Sequence, residues 1–177
     1  MQFIKVRDVK SPIRNVKENA GIDFYIPEDN EEFRQALLAK NATMINGASS
    51  NEYNYIDDSG TIFIAPHSDV LIPSGIKSKF ENNMALIANN KSGVATKKKL
   101  VFGASVIDAS YQGEWHLHLI NTSDVYQSVA CGTKVIQFIP HLISTDPVEI
   151  VEMSAEDFYK DTTSSRGEGG FGSTGLN

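Results

Sequence analysis

The sequence is short of several things, and each shortage narrows what the chain can be. It has a single cysteine, Cys131, so no intrachain disulfide can form and a reducing compartment suits it. No apolar run approaches the roughly 20 residues that cross a bilayer. The opening Met-Gln-Phe-Ile-Lys-Val-Arg turns charged too soon for a secretory signal. Basic residues are outnumbered, 16 against 22 acidic, for a formal net charge of −6. An acidic chain without a long basic stripe is ill suited to general nucleic-acid binding. An anionic ligand must therefore be captured by local geometry, because the overall field repels it. No internal repeat is visible.

What is present fits one packed domain. The 177 residues are 41% hydrophobic and 21% charged, enough apolar material for a core. Most of the chain reads as short strands with period-two alternation. Ile4 and Val6 alternate with Lys5 and Arg7. Ile76, Ser78 and Phe80 share one face, and Trp115, Leu117 and Leu119 alternate with His116, His118 and Ile120. Residues 84–88 form a continuous apolar run, which predicts a strand buried on both faces. Further strands are predicted over 134–139 and 148–151. Turn-forming residues punctuate them, as in Pro73-Ser74-Gly75 and Tyr111-Gln112-Gly113. The pattern predicts an all-β barrel or sandwich of jelly-roll type.

Two stretches depart from it. Residues 29–40 read as a helix opened by an Asp29/Glu32 capping box, with Phe33, Ala36 and Leu37 on one stripe. Residues 41–60 are rich in Asn, Ser, Asp and Gly around Tyr53 and Tyr55, so 29–60 reads as a helix-plus-loop insert. Ser154 opens a second short helix to Tyr159. The expected organisation is a β-barrel domain over 1–163 and a glycine-rich arm over 164–177.

Several residues carry chemistry in their types. Asp108, after Val106-Ile107 and before a turn, either initiates that turn or orients and deprotonates a water. Tyr111 is a hairpin aromatic or a flat surface for a sugar. Asn90-Lys91-Ser92-Gly93 is a polar turn or a phosphate cradle. The Lys97-Lys98-Lys99 run reads as a solvated face. His116 and His118 share a strand face like half a zinc site, but no third His or Cys has suitable spacing. Cys131 lacks a base partner and reads as a small hydrophobe. In the arm, glycines interleave with Arg166, Ser173 and Thr174, which suits a segment that closes over phosphates, and Phe171 can stack on an aromatic ring.

Taken together and in order, these segments resemble one family, the homotrimeric deoxyuridine triphosphate nucleotidohydrolases (dUTPases). Its five motifs have counterparts in Ala20-Gly21-Ile22-Asp23, in Asn90-Lys91-Ser92-Gly93-Val94-Ala95, and in Val106-Ile107-Asp108 through Tyr111 and Gly113. The fourth is Gly132-Thr133-Lys134-Val135-Ile136-Gln137 and the fifth runs from Arg166-Gly167-Glu168 to Thr174-Gly175. The fifth is the most specific. Lys91 stands for the usual Arg, Asn90 for Pro, Ser105 for Gly and Ser110 for Asp. The resemblance covers nearly everything outside 29–60.

The resemblance implies a distorted jelly roll that hydrolyses dUTP to dUMP and pyrophosphate with Mg²⁺, keeping uracil out of DNA. Asp108 would be the general base. Lys91, Ser92, Gly93, Gln137, Arg166, Gly172, Ser173 and Thr174 would hold the phosphates, and Asp23 the metal through water. Ser105, Val106, Tyr111, His116 and Phe171 would face base and sugar, with main chain at 103–106 and 114–117 reading the uracil edge. It further implies a homotrimer whose sites are shared between chains, in the cytoplasm, and in a bacterial host's cytoplasm for a phage-encoded member. Some phage members carry an insert that binds a repressor, so 29–60 is a candidate surface for a regulatory protein. It either presents that surface or only buttresses its own subunit, and its replacement by a short Gly/Ser link is expected to leave the trimer intact and hydrolysis largely preserved, because all five motifs lie outside it. The competing readings are a dCTP deaminase of the same fold and a non-catalytic regulatory protein.

Overall fold

The alternation seen in the sequence becomes thirteen short strands and three helices among the described residues, which are 1–47, 52–165 and 167 of a computed structural model. In chain order they are β1 (Gln2–Lys5), β2 (Ile22–Tyr25), α1 (Glu31–Lys40), β3 (Ile45–Asn46), β4 (Tyr55–Ile56), β5 (Thr61–Ile64), β6 (Asp69–Pro73) and β7 (Ile76–Lys79). They continue with β8 (Met84–Asn90), α2 (Ser92–Lys98), β9 (Leu100–Phe102), β10 (Val106–Asp108), β11 (His116–Asn121), β12 (Gln127–Ala130), β13 (Lys134–Leu142) and α3 (Ala155–Tyr159). None of the described helices is long and apolar enough to cross a membrane. The chain divides into two units, Met1–Thr145 and Asp146–Asn177, ahead of the boundary expected at 163/164.

The first unit holds four small sheets: β1-β7, β10-β8-β13-β2, β6-β11-β9 and β12-β5-β4-β3. Nearly all pairings are antiparallel, as in a jelly roll. Trp115, Leu117 and Leu119 are buried as the alternation required. Trp115 stacks on Phe24 with centroids 5.0 Å apart, and Phe138 and Phe3 close the cluster. Each such side chain contributes on the order of 1.5–3 kcal/mol by leaving water. In the predicted two-faced strand, Ala85, Leu86 and Ala88 are buried, while Met84 and Ile87 are only partly so.

Four local expectations are corrected. Phe3, not Ile4 or Val6, turns inward, and Ile4 stays exposed. Register decides this: Phe3 lies opposite Ser78 on the inner face of β7, and Ile4 opposite Lys77 on the outer. The cap of α1 is Asn30, whose Oδ1 accepts from Phe33 N at 2.9 Å; Asp29 instead takes both arms of Arg34 at 2.7 Å. Residues 92–98, read as a turn and a lysine run, form α2, too short to show a period. Residues 148–151 form no strand and pair with none among the described residues, and Val148 and Ile150 lie open to solvent.

The segment 29–60 is built into the first unit. Phe33, Leu37, Met44 and Ile56 belong to the common core. Asn41 ties the end of α1 to β6 by accepting from Leu71 N and donating to Leu71 O. β4 pairs with β5 and, in parallel, with β3. The stretch expected as loop thus adds two strands to a sheet, and the segment is not a detachable appendage. In the second unit, α3 is capped as expected by the Ser154 hydroxyl, which accepts from Asp157 N at 3.0 Å.

Candidate functional site

Two groups of expected residues assemble, at different places on the first unit. The first is built by the hairpin from β10 to β11. β10 pairs with β8, placing Asp108 opposite Ala85, and Tyr111 N donates to Asp108 O to form the turn. The Tyr111 ring folds back over Gly113, where a Cβ would lie 2.2 Å from the phenol oxygen. Its hydroxyl donates to Glu114 O at 3.0 Å. Leu71, Ala104, Val106, Ile107, Asp108, Tyr111 and His116 line a cleft of about 270 Å³. Ser105 borders it, its carbonyl accepting from Ala88 N. A wider cleft of about 990 Å³ around Lys79, Glu81 and Asn83 holds none of the expected groups.

The two histidines of β11 have different surroundings. His118 Nδ1 accepts from Ala104 N, so its Nε2 carries the proton and donates to Asp69, both at 2.8 Å. It buttresses the 103–106 segment, and a Cβ at Gly103 would sit 2.2 Å from its ring. With both nitrogens engaged it is not offered to zinc. His116 Nε2 is buried with no protein partner among the described residues. Burial, with the charges of Lys40 and Arg7, pushes its pKa below the usual imidazole value against the pull of Glu114.

The second group surrounds Asp23 on β2, only 5% exposed. Lys91 reaches Oδ1 at 2.5 Å, while Lys134 and Asn15 reach Oδ2, each at 3.2 Å. Burial alone would raise the Asp23 pKa, but the bonds and charges of Lys91 and Lys134 outweigh it and hold the carboxyl below its usual range. Two ammonium groups against one carboxylate leave a local positive excess on an acidic chain. Gln137 of β13 lies opposite Asp23, donates to Asn90 O at 2.9 Å and covers Gly21. Ser92 and Gly93 open α2 beside Lys91, and around Gly93 a Cβ would meet nothing within 4 Å. Lys134 and Asn15 were not singled out from sequence. Lys134 lies inside the fourth motif, whereas Asn15 carries no local signal.

The two groups do not meet within one chain. Asp108 is on one edge strand of the sheet β10-β8-β13-β2 and Asp23 on the other. Asp108 is level with Ala85 of β8, and Asp23, through Gln137, with Asn89. Three strand spacings across and four residues along put them roughly 20 Å apart.

Among the described residues no cluster of three His, Cys, Asp or Glu can cage a metal. A single carboxylate already held by two lysines is no direct ligand for Mg²⁺ and could reach such an ion only through water, with phosphates supplying the ion's other oxygens. Burial, chiefly, pushes the Cys131 thiol up to about 12, which suits a small hydrophobe rather than a nucleophile. Arg166, Phe171, Gly172, Ser173 and Thr174 lie outside the described residues.

Comparison with known proteins gives a consistent result. A dUTPase family model matches residues 55–175. The deoxyuridine 5′-triphosphate nucleotidohydrolase of a Picosynechococcus strain is 34% identical over 133 residues, 70% of this chain and 89% of the relative. That of tomato, Solanum lycopersicum, is 32% identical over 146 residues, 81% and 82% of the two chains. Among solved structures, the dUTPase of Staphylococcus bacteriophage 80alpha with dUpNHpp superposes with a TM-score of 0.71 at 20% identity, over 99% of this chain and 98% of the other. The dUTPase of Streptococcus mutans superposes at 0.58 with 18% identity, over 84% and 100%.

Proposed function

This chain belongs to the dUTPase family, and from that membership we infer that it hydrolyses dUTP to dUMP and pyrophosphate. The observation that carries the reading is the pair of complementary half-sites: a cleft with an acid at its rim, and a buried carboxylate ringed by cations. The deaminase and purely regulatory readings are not favoured by the relatives.

In this proposal the cleft takes the nucleoside. Tyr111 packs under the deoxyribose and excludes a 2′-hydroxyl, and Val106, Ser105 and His116 flank the base. Main chain at 103–106 and 114–117 reads the uracil edge, where cytosine would leave buried groups unpaired. Asp108 accepts a proton from the attacking water as its oxygen bonds to the α-phosphorus. The bond to the bridging oxygen breaks, and pyrophosphate leaves with that electron pair. Lys91, Ser92, Gly93 and Gln137 hold phosphate oxygens and stabilise the charge that develops. The arm supplies Arg166, Gly172, Ser173 and Thr174 for the terminal phosphate and Phe171 for stacking on uracil. Bound Mg²⁺, held through water by Asp23, would neutralise part of the triphosphate charge.

We further propose a homotrimer with shared sites in a reducing cytoplasm. The separation of Asp108 from the Asp23 group supports this, because one triphosphate cannot touch both within a single chain. A regulatory protein at 29–60 would have to use its outer rim, where Tyr53 is exposed, since the apolar stripe is consumed by the core. The test is pyrophosphate release across the deoxynucleoside triphosphates and UTP, with and without Mg²⁺. Turnover of dUTP alone supports the reading, and release of ammonia from dCTP overturns it.

A further inference from the structure

Glu114 follows the hairpin tip, and while its main chain belongs to the segment proposed to read the base, its carboxylate has no place in the chemistry above and yet is closely held. Its side chain is only 15% exposed. Oε1 accepts from Arg7 Nε at 2.8 Å and from Gly75 N at 2.7 Å, and Oε2 accepts from Arg7 Nη2 at 2.9 Å. This forked pair joins residues 107 apart in sequence. The neighbouring main chain is pinned too: Trp115 N donates to Ile76 O, and Ser74 N to Trp115 O, both at 2.9 Å. Meanwhile the Glu114 carbonyl is the acceptor for the Tyr111 hydroxyl. The ring at the hairpin tip therefore hangs from a residue whose side chain is bolted to the β1-β7 ribbon.

We propose that Glu114, locked by Arg7, is a positioning residue that fixes the plane of Tyr111 and thereby sets discrimination between deoxyribose and ribose nucleotides. The proposal rests on the reading of Tyr111 as the surface under the sugar. A ring free to tilt leaves room for a 2′-hydroxyl, so the loss falls on selectivity rather than on the chemical step. Arg7 also bonds Glu32 of α1 at 2.8 Å, so the same lock joins the hairpin to the segment 29–60.

The test compares kcat and KM for dUTP and UTP in Glu114→Gln, Arg7→Met, Tyr111→Phe and Tyr111→Ala. Glu114→Gln keeps the shape and weakens the fork, and Tyr111→Phe removes only the hydroxyl bond. In Glu114→Gln and Arg7→Met the dUTP/UTP ratio of kcat/KM is expected to fall about tenfold, through KM for dUTP and gained UTP turnover, with kcat for dUTP little changed; in Tyr111→Phe and Tyr111→Ala the ratio should fall at least as far. A purely structural role would depress both substrates alike and leave the ratio intact, and that result overturns the proposal. Should Glu114→Gln fail to fold, Tyr111→Phe at the exposed tip decides by the same criterion. If Tyr111→Ala also leaves the ratio unchanged, the sugar reading itself falls. If Tyr111→Ala collapses the ratio but Glu114→Gln and Tyr111→Phe do not, only the positioning role falls.

Discussion

Replacing Gly21 by alanine is expected to separate catalysis from stability. A Cβ built at Gly21 lies 2.1 Å from Gln137 Oε1 and 2.8 Å from its Cδ, where ordinary contact begins at 3.4 Å. The amide must therefore retreat by about 1.3 Å. Gln137 can do so, because Oε1 and Cδ are the far end of a flexible side chain, while its Cβ at 3.1 Å asks the strand to give by only a few tenths of an ångström. The fold then loses little beyond the Gln137–Asn90 hydrogen bond, about 0.5–1.5 kcal/mol, or a few degrees of Tm in a chain of this size. Activity has no such freedom. A phosphate ligand displaced by more than 1 Å costs on the order of 10²-fold in rate. Thermal melts and steady-state pyrophosphate release on Gly21→Ala, with Gln137→Ala as a control, read the two effects separately. Both variants should lose activity together while melting near wild type. A kcat/KM for dUTP within threefold of wild type in Gly21→Ala would refute the role given to Gln137.

Asp108→Asn should retain nucleotide binding and lose about 10²–10⁴ in kcat, checked by calorimetric titration with a non-hydrolysable analogue beside turnover. Chains truncated after Ser165, mixed with Asp108→Asn chains under verified subunit exchange, should regain activity that neither has alone. Asp23, with its pKa held down in the folded state, contributes stability that is present above its unfolded value and lost as pH falls through the folded one. In denaturant melts, the stability gap between wild type and Asp23→Asn should therefore narrow below about pH 4. Leu37→Ala, at a fully buried position of α1, should destabilise by about 2–5 kcal/mol by the same melts. A loss under 1 kcal/mol would return 29–60 to the status of a detachable insert.

Legibility in the sequence followed the reach of the forces involved. Trp115, Leu117 and Leu119 were readable because one face of β11 is buried throughout, so local alternation records tertiary burial. At β1 the same rule chose the wrong face, because the register is imposed by β7, some 70 residues away. The start of α1 slipped by one position because Asp29 and Asn30 are both good caps, and Arg34 claims the first. β3 and β4 were invisible: two residues each, in a polar stretch, they exist only through pairing with β5. Motif order picked out Asp23, Lys91 and Gln137, which the fold gathers in one group, and Asp108 and Tyr111, which it gathers in another. It missed Lys134 and Asn15, which meet Asp23 and each other, Lys134 Nζ donating to Asn15 Oδ1 at 3.4 Å, from positions 119 apart in sequence, and the Arg7–Glu114 lock, whose partners share no local pattern.

The chain's one tryptophan sits between Glu114 and His116, fully buried and stacked on Phe24. Excitation at the red edge of indole absorption therefore interrogates a single known position. Its emission in the native protein should be blue-shifted, as for indole shielded from water, and should move to longer wavelength only when β11 leaves the core. Because the chain that carries the fluorophore inward runs straight into β11 and sets His116 on the candidate cleft, the protein contains its own optical gauge of whether site and core come apart together.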